Sequence, residues 1–349
     1  MAKPQRVYQV WKGRNKFMFN GRLIFGPDAK SIVVTLLLIL VPIVTFCSNV
    51  ARNLLHEVST YTTGYAIMGV AIMLTVYVLV LLFLTSARDP GIVPRNLHPP
   101  EEDVTYDSSA SIETGGGTQT PIPRVPRTKE VLIDGRIVVK VKYCDTCKLY
   151  RPPRCSHCSV CDNCVERFDH HCPWVGQCIG QRNYRYFFLF VTSSALLCIF
   201  IFAMSALHLK YQIDYYGNVW KAIKESPASV ILMAYCFFFL WFVGGLTCFH
   251  LYLISTNQTT YENFRYRRED GVRLYDRGCL NNFLEVFCTK IKPSRNNFRA
   301  YAQENEPRPR TRTRTTPEAE TDRRAKVEDD REIGGDLLKI SKRRDVEEA

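Results

Sequence analysis

The sequence predicts an all-α polytopic membrane protein: four transmembrane helices, with a small cysteine-rich domain built on β-hairpins between the second and the third. Three observations carry that expectation. Four long apolar runs contain no Asp, Glu, Lys or Arg. Eight of the 14 cysteines fall in one 35-residue window, 144–178, between the second and third runs. Lysine and arginine crowd the segments on one side of the runs and are sparse on the other. Bulk composition conceals this pattern. The 349 residues are 46% hydrophobic with a mean hydropathy of -0.13, ordinary values for a soluble protein, because charged segments dilute the apolar runs. Twenty Phe, 18 Tyr and 4 Trp exclude a wholly disordered chain, and 19 Gly exclude a collagen-like one. A net charge of +12 suits nucleic acid, an anionic membrane face or an anionic small molecule, and its position decides among them.

Residues 1–30 form a basic N-terminal segment, with Lys3, Arg6, Lys12, Arg14, Lys16, Arg22 and Lys30. No small-residue cleavage pattern follows the first apolar run, so no cleaved signal peptide is expected. The pair of spans in 31–87 comprises runs 31–48, where Pro42 is expected to kink the helix, and 61–87. The second pair, in 186–256, comprises 186–209 and 227–254. A spanning helix needs about 20 apolar residues, and globular cores seldom use four such runs without a charged face. Four spans leave both termini and the 88–185 segment on one side. That side carries Arg88, Arg95, Arg124, Arg127, Arg265, Arg267 and Arg268, whereas connections 49–60 and 210–226 hold few Lys or Arg. The positive-inside rule makes the basic side cytosolic.

Segment 88–142 reads as a linker followed by a hairpin. Residues 99–130 are rich in Pro, Gly, Ser and Thr, the composition of a flexible linker. Asp134-Gly135 then sits between two β-branched runs, which predicts a tight hairpin turn. The cysteine-rich domain, 143–185, is thereby held near the membrane. Segment 257–300 keeps aromatic residues and is expected to pack under the bundle, whereas 301–349 is charged, poor in aromatics and expected to be disordered. No repeat of 20–50 residues is present.

The chemistry lies in the cysteine window. Its spacing is Cys144-x2-Cys147, Cys158-x2-Cys161, then Cys164, with His157, His170 and His171 among them. Close Cys pairs with interspersed His indicate zinc rather than disulfides, and zinc thiolates suit a reducing compartment. That places the domain in the cytosol independently of the charge argument. Two tetrahedral sites need eight ligands, and the window holds eight Cys and three His. Asp169-His170-His171-Cys172 supplies a carboxylate, two imidazoles and a thiol within four residues. A nucleophilic cysteine needs a base, and the base an orienting partner. Spacing alone leaves open which cysteine is free of zinc.

These motifs resemble the DHHC protein S-acyltransferase (palmitoyltransferase) family. The likeness runs through Cys144-Asp-Thr-Cys147, Arg151-Pro-Pro-Arg154, His157-Cys158, Cys161-x2-Cys164, Asp169-His170-His171-Cys172-Pro173-Trp174, Cys178, Asn183 and Phe187. Asp89-Pro90-Gly91, Thr259-Thr260-Tyr261-Glu262 and Gly278-Cys279-Leu280-Asn281-Asn282 extend it over about 20–290, and 7–28 looks most like plant members. The resemblance implies two structural zinc sites, Cys144, Cys147, His157 and Cys164, then Cys158, Cys161, His171 and Cys178. It implies Cys172 as nucleophile, His170 as base and Asp169 as orienter, with Cys155 structural or a spare thiol. The implied reaction moves a long-chain acyl group, palmitoyl, from acyl-CoA through a thioester on Cys172 to a cysteine of a membrane-associated protein.

Further expectations follow from that likeness. Trp174 lies against the first carbons of the acyl chain, Ser193, Ser194 and Ala195 leave it room, and Leu197 marks where the cavity narrows. Arg182 and Arg185 are candidates for the CoA phosphates. Thr260 reaches Asp169, while Thr259 and Glu262 also form a helix capping box. Asn281 packs or hydrogen-bonds in the C-terminal region. Asp89-Pro90-Gly91 reads as a turn ending the second span. His208 and His250 read as satisfied interface or core histidines. Cys279 and Cys288 are either S-acylated at the membrane edge or plain core residues. The membrane is the plasma membrane or the Golgi and endomembranes, and the bilayer rather than nucleic acid is the partner of the basic segments. A non-catalytic, membrane-anchored zinc scaffold is the alternative, but it leaves Asp169, His170 and Cys172 without a role. A transporter would place ionisable residues in its spans, and these hold only histidine.

Overall fold

The computed structural model describes residues 4–302 except 58–60, 101–104, 115–117, 134, 136 and 266–273. The N-terminal segment forms a hairpin, β1 (Lys16–Met18) with β2 (Leu23–Phe25). Helix α1 (Ser31–Thr45) contains Pro42. Proline lacks the N–H that would bond the carbonyl four residues back, here that of Leu38. The hydroxyl of Tyr235 donates to that carbonyl instead, at 2.7 Å. Beyond Pro42 the helix widens into a π turn, Phe46–Ala51, and continues as α2 (Arg52–Glu57). Phe46, Val50, Ala51 and Leu54 are fully buried there, so the disturbed turn is also where the first span packs into the bundle.

Helix α3 (Tyr61–Ser86) ends at Asp89-Pro90-Gly91. Asp89 accepts hydrogen bonds from the N–H groups of Gly91 and Ile92 at 2.9 and 2.8 Å, and Gly91 takes φ +114, a conformation favouring glycine. The turn expected there is present. Strands β3 (Thr105–Thr114) and β4 (Thr118–Arg124) pair antiparallel within the stretch expected to be a linker. The threonines that read as linker composition are also β-branched, and with Ile112 and Ile122 they favour strands. Next, β5 (Thr128–Ile133) pairs with β6 (Ile137–Cys144), and β6 with β7 (Leu149–Tyr150). Gly135, at φ +69, lies in the expected hairpin turn; Asp134 falls outside the described residues. Two further hairpins follow, β8 (Ser156–Cys158) with β9 (Asn163–Val165), and β10 (His170–Cys172) with β11 (Gln177–Ile179). The β-hairpin domain expected between the second and third spans is present, and with the β1–β2 hairpin before α1 the all-α label applies only to the apolar helices.

Helix α4 (Tyr184–Tyr216) is followed by α5 (Val219–Glu225) and α6 (Pro227–Ser255). At 1.5 Å per residue α4 spans about 50 Å, longer than a hydrocarbon layer of about 30 Å, and α5 follows its end. Four helical segments are long and apolar enough to cross a membrane: Ser31–Leu55, Gly64–Ser86, Tyr184–Tyr216 and Pro227–Ser255. Their outer faces expose large apolar side chains such as Val44, Met73, Phe237 and Trp241, as a lipid-facing bundle requires. His208 of α4 meets the Ser229 hydroxyl of α6 at 2.7 Å, a satisfied interface histidine as expected.

After α6 come α7 (Thr260–Arg265) and α8 (Cys279–Phe287). Helix α8 buries Asn282 and Val286 and packs Phe283 and Phe287 on the bundle, leaving Leu280 and Leu284 outward. The chain then returns to the N-terminal segment. Tyr8 N–H donates to the Phe298 carbonyl at 2.9 Å, and the Phe298 ring meets those of Trp11 and Phe17 at 5.1 and 5.2 Å between centroids. Of the tail expected to be disordered, 303–349 lies outside the described residues.

Candidate active site beside two cysteine–histidine clusters

Strand geometry separates the residues of the Asp-His-His-Cys motif. Side chains alternate across a strand, so His170 and Cys172 of β10 share one face and His171 takes the other. The β10–β11 register sets Cys178 directly opposite His171, and residues paired across two strands share a face. His171 and Cys178 therefore belong together, apart from His170 and Cys172. The same alternation operates in β8, where His157 and Cys158 point opposite ways and Cys164 faces His157.

The result is two clusters whose members interleave along the chain. Cys144, Cys147, His157 and Cys164 converge, as do Cys158, Cys161, His171 and Cys178. Nδ1 of His157 lies 3.6, 3.6 and 3.8 Å from the sulfurs of Cys144, Cys147 and Cys164. Nδ1 of His171 lies 3.9, 3.4 and 3.6 Å from those of Cys158, Cys161 and Cys178. A tetrahedral ion with bonds of about 2.3 Å to sulfur and about 2.0 Å to nitrogen separates the two donors by about 3.5 Å. Both donor sets fit such an ion. The outer nitrogen of each imidazole faces a carboxylate: His157 Nε2 is 3.5 Å from Asp162, and His171 Nε2 is 3.0 Å from Asp28. That contact fixes the ring so that Nδ1 faces the sulfurs. Neither aspartate was legible as a partner, and Asp28 lies 143 residues from His171.

On the other face, Asp169 is buried, with 1% exposure. Its Oδ2 accepts from His170 Nδ1 at 2.6 Å and from the Thr260 hydroxyl at 2.8 Å, and its Oδ1 accepts from the Thr260 N–H at 2.8 Å. Burial alone would raise the carboxyl pKa; the imidazole and the Thr260 N–H outweigh it and hold the pKa below the ordinary value. Burial also opposes charge on His170, but Asp169 and Cys172 overcome it and raise the imidazole pKa to about 9. The Cys172 thiol lies on the same strand face as that imidazole. It is itself buried, in the apolar cluster that includes Phe187, Val191, Leu197 and Ile254 of α4 and α6. The thiol sits where the small sheets meet the membrane bundle.

The neighbouring turn is clamped by α1. The hydroxyl of Ser31 donates to the Pro173 carbonyl, and that of Thr35 to the Trp174 carbonyl at 2.6 Å. The Trp174 side chain is mostly exposed, Leu197 is buried, and the Ser193 and Ser194 hydroxyls bond the Phe190 carbonyl within their own helix. Arg182 and Arg185 are not idle donors. Arg182 pairs with Asp89 at 2.9 Å and donates to the Lys292 carbonyl. Arg185 donates to the carbonyls of Val286 and Thr289 at 2.7 and 2.6 Å, capping the end of α8. Both candidates for the CoA phosphates are thus held by partners within the protein. Asn281 is exposed and donates to the Arg277 carbonyl at 3.0 Å, within the C-terminal region. Its neighbour Asn282 is buried and donates to the Ser255 carbonyl and Asp276 at 2.9 and 2.7 Å.

What holds Thr260 against Asp169 is a buried polar network. Thr259 and Glu262 form the expected reciprocal cap at 2.9 and 3.1 Å. Glu262 also receives both arms of Arg154, at 2.8 and 2.7 Å. Arg154 and Arg167 both donate to Asn257 at the end of α6, and Arg167 pairs with Glu285 of α8 at 2.7 Å. Arg167, Asn257 and Glu285 carried no local sequence signal. His250 also departs from its reading as a satisfied core histidine. Its Nδ1 is 3.0 Å from the Tyr184 hydroxyl, but its buried Nε2 has no hydrogen-bond partner in the structure. Its ring lies 6.2 Å from that of His170. A lone histidine in an apolar span was the available signal.

Comparison with known proteins agrees with this geometry. The family model described as DHHC palmitoyltransferase matches residues 138–267. The chain is 65% identical to "Protein S-acyltransferase 8" of Arabidopsis thaliana, over 99% of this chain and 86% of the relative. It is 57% identical to "Probable protein S-acyltransferase 9" of the same plant, over 98% and 84%. A third relative, "Probable protein S-acyltransferase 7", is 56% identical over 86% of this chain and 67% of its own length. With four helices able to span a membrane and the Asp-His-His-Cys strand at their junction, this chain belongs to the DHHC palmitoyltransferase family and is a protein S-acyltransferase.

Proposed function

We propose that acyl transfer runs in two steps through Cys172, with a long-chain acyl-CoA as donor and a cysteine of a membrane-associated protein as acceptor. The observation that carries this reading is the placement of His170 and Cys172 on one strand face, with Asp169 and Thr260 behind the imidazole. The Cys172 sulfur, its proton passed to His170, attacks the thioester carbonyl carbon. A new sulfur–carbon bond forms, the bond to the CoA sulfur breaks, and CoA leaves with the proton. The acceptor thiol then attacks the acyl-Cys172 thioester and returns the proton to Cys172. Thioester replaces thioester in both steps, so the exchange is nearly balanced in free energy. Asp169 keeps the proton on Nδ1 of His170 and leaves the other nitrogen free to act as base.

Zinc is the ion that suits both three-cysteine, one-histidine clusters. It would hold Cys144, Cys147, His157 and Cys164 in one site and Cys158, Cys161, His171 and Cys178 in the other, cross-linking hairpins too small to fold alone. The acyl chain runs from Cys172 past Trp174 into the bundle, where Leu197 limits its length. The termini and the cysteine-rich domain, 143–185, face the cytosol, where the basic segments meet anionic lipid. The proposed division of the chain is 1–30, 31–87, 88–142, 143–185, 186–256, 257–300 and the tail, 301–349. The test is transfer of labelled palmitoyl from palmitoyl-CoA to a membrane-tethered cysteine peptide. Cys172→Ser should abolish it, with zinc content kept. Continued transfer by that variant would reject the reading.

A further inference from the structure

A cavity of about 470 Å³ opens at the end of α3, away from the thiol site. Its walls include Arg22 of the N-terminal hairpin, Arg88 just after α3, Arg182 just before α4 and Arg299 of the C-terminal segment. Asp89 is its one carboxylate, and Arg182 neutralises it at 2.9 Å. Among the described residues Arg88 is engaged by a neutral group, the Tyr186 hydroxyl at 2.9 Å and the ring beneath it, so no carboxylate there cancels its charge. Arg22 and Arg299 make no side-chain hydrogen bond or ion pair with another described residue. Three positive charges thus converge on one concavity.

The apolar part of the lining is Leu23, Ile24, Phe298, Ala87 and, on α3, Phe83 and Leu84. Leu81 and Leu82 of the same helix belong to the cluster that contains Cys172. At 100° per residue Phe83 lies about 160° from Leu81 and about 100° from Leu82 and is 50% exposed, whereas Leu84, about 60° from Leu81, borders the two faces. The cavity therefore joins a basic rim to the lipid-facing end of a span, not to the thiol. Guanidinium groups are the preferred partners of phosphate, and a site at this depth meets lipid headgroups. We propose that this cavity binds a phosphorylated anionic phospholipid, its headgroup phosphates on Arg22, Arg88 and Arg299 and its acyl chains beside Phe83 and Leu84. This site goes beyond the catalytic reading and contains none of Asp169, His170, Cys172 and Thr260.

The test titrates dioctanoyl phosphatidylinositol 4-phosphate into the purified full-length protein in a neutral detergent, where both faces are accessible and orientation does not enter. Saturable binding is expected, with dioctanoyl phosphatidylcholine much weaker. The double variant Arg22→Gln, Arg299→Gln should weaken binding about tenfold or more, the equivalent of about 1.4 kcal/mol or more. Its palmitoyl loading without added lipid should match the parent protein, which shows that it folds and that the catalytic reading stands separately. Equal affinity for phosphatidylcholine, or equal binding by the double variant, overturns the proposal. So does equally tight binding of free inositol 1,4-bisphosphate, which lacks the chains. Displacement of the lipid by CoA, with loading lost in the double variant, would make the cavity a donor site instead.

Discussion

Removing the hydroxyl of Thr260 separates positioning from fold. Thr260→Val keeps the shape and the backbone N–H, so Asp169 retains the bond to Oδ1 and loses only the hydroxyl bond to Oδ2. Oδ2 is then held by His170 alone, in a site where Asp169 is 1% exposed and water cannot replace the lost donor. A hydrogen bond to a charged group contributes about 1.5–3 kcal/mol. If about 2 kcal/mol of that appears in the barrier, acyl loading slows about 30-fold. The assay is single-turnover loading from saturating labelled palmitoyl-CoA, beside zinc content and thermal unfolding. Thr260→Ser, which restores the hydroxyl, should recover most of the rate. Loading by Thr260→Val at the parent rate and with parent stability would refute the idea that Thr260 positions the dyad.

Arg154→Gln should destabilise the protein by about 3–5 kcal/mol, because Glu262 would be left as an uncompensated half-buried charge; thermal unfolding in detergent measures it, and unchanged stability would remove Arg154 from the network. Cys147→Ser should lower the metal content from two ions per chain to one or none and abolish loading, read by elemental analysis beside the loading assay. His250→Leu removes a ring packed on His170 and should slow loading about three- to tenfold, the equivalent of about 0.5–1.5 kcal/mol for a ring pair, with metal content unchanged. Tyr235→Phe should cost about 1 kcal/mol of stability in the parent protein and almost none in a Pro42→Ala background, where the Leu38 carbonyl regains a helical donor.

What was legible in the sequence was what depends on local periodicity. The charge-free runs became the spanning helices, shifted by a few residues at their ends. The clustered Cys and His became two donor sets. The Asp-His-His-Cys strand divided between them and the thiol site because strand side chains alternate. The remainder depends on contacts that composition does not encode. Asp28 reaches His171 across the whole first pair of spans. Arg182 and Arg185 carry the charge a phosphate needs, yet packing spends them on Asp89 and on the end of α8. Asn281 and Asn282 are adjacent and chemically identical, and only the rotation of α8 selects which one is buried. The stretch 99–130 read as a linker because threonine serves turns and strands alike, and the β3–β4 pairing depends on the partner strand.

The most direct test of the central claim is to identify the residue that carries the acyl group. The purified, zinc-replete protein is exposed briefly to palmitoyl-CoA, digested without reducing agent, and its acylated peptides are sequenced by mass spectrometry. The predicted result is a single hydroxylamine-labile palmitoyl thioester on Cys172, absent after Cys172→Ser. Palmitate on Cys279 or Cys288 with Cys172 unmodified, or equal labelling of the Ser variant, would contradict the account.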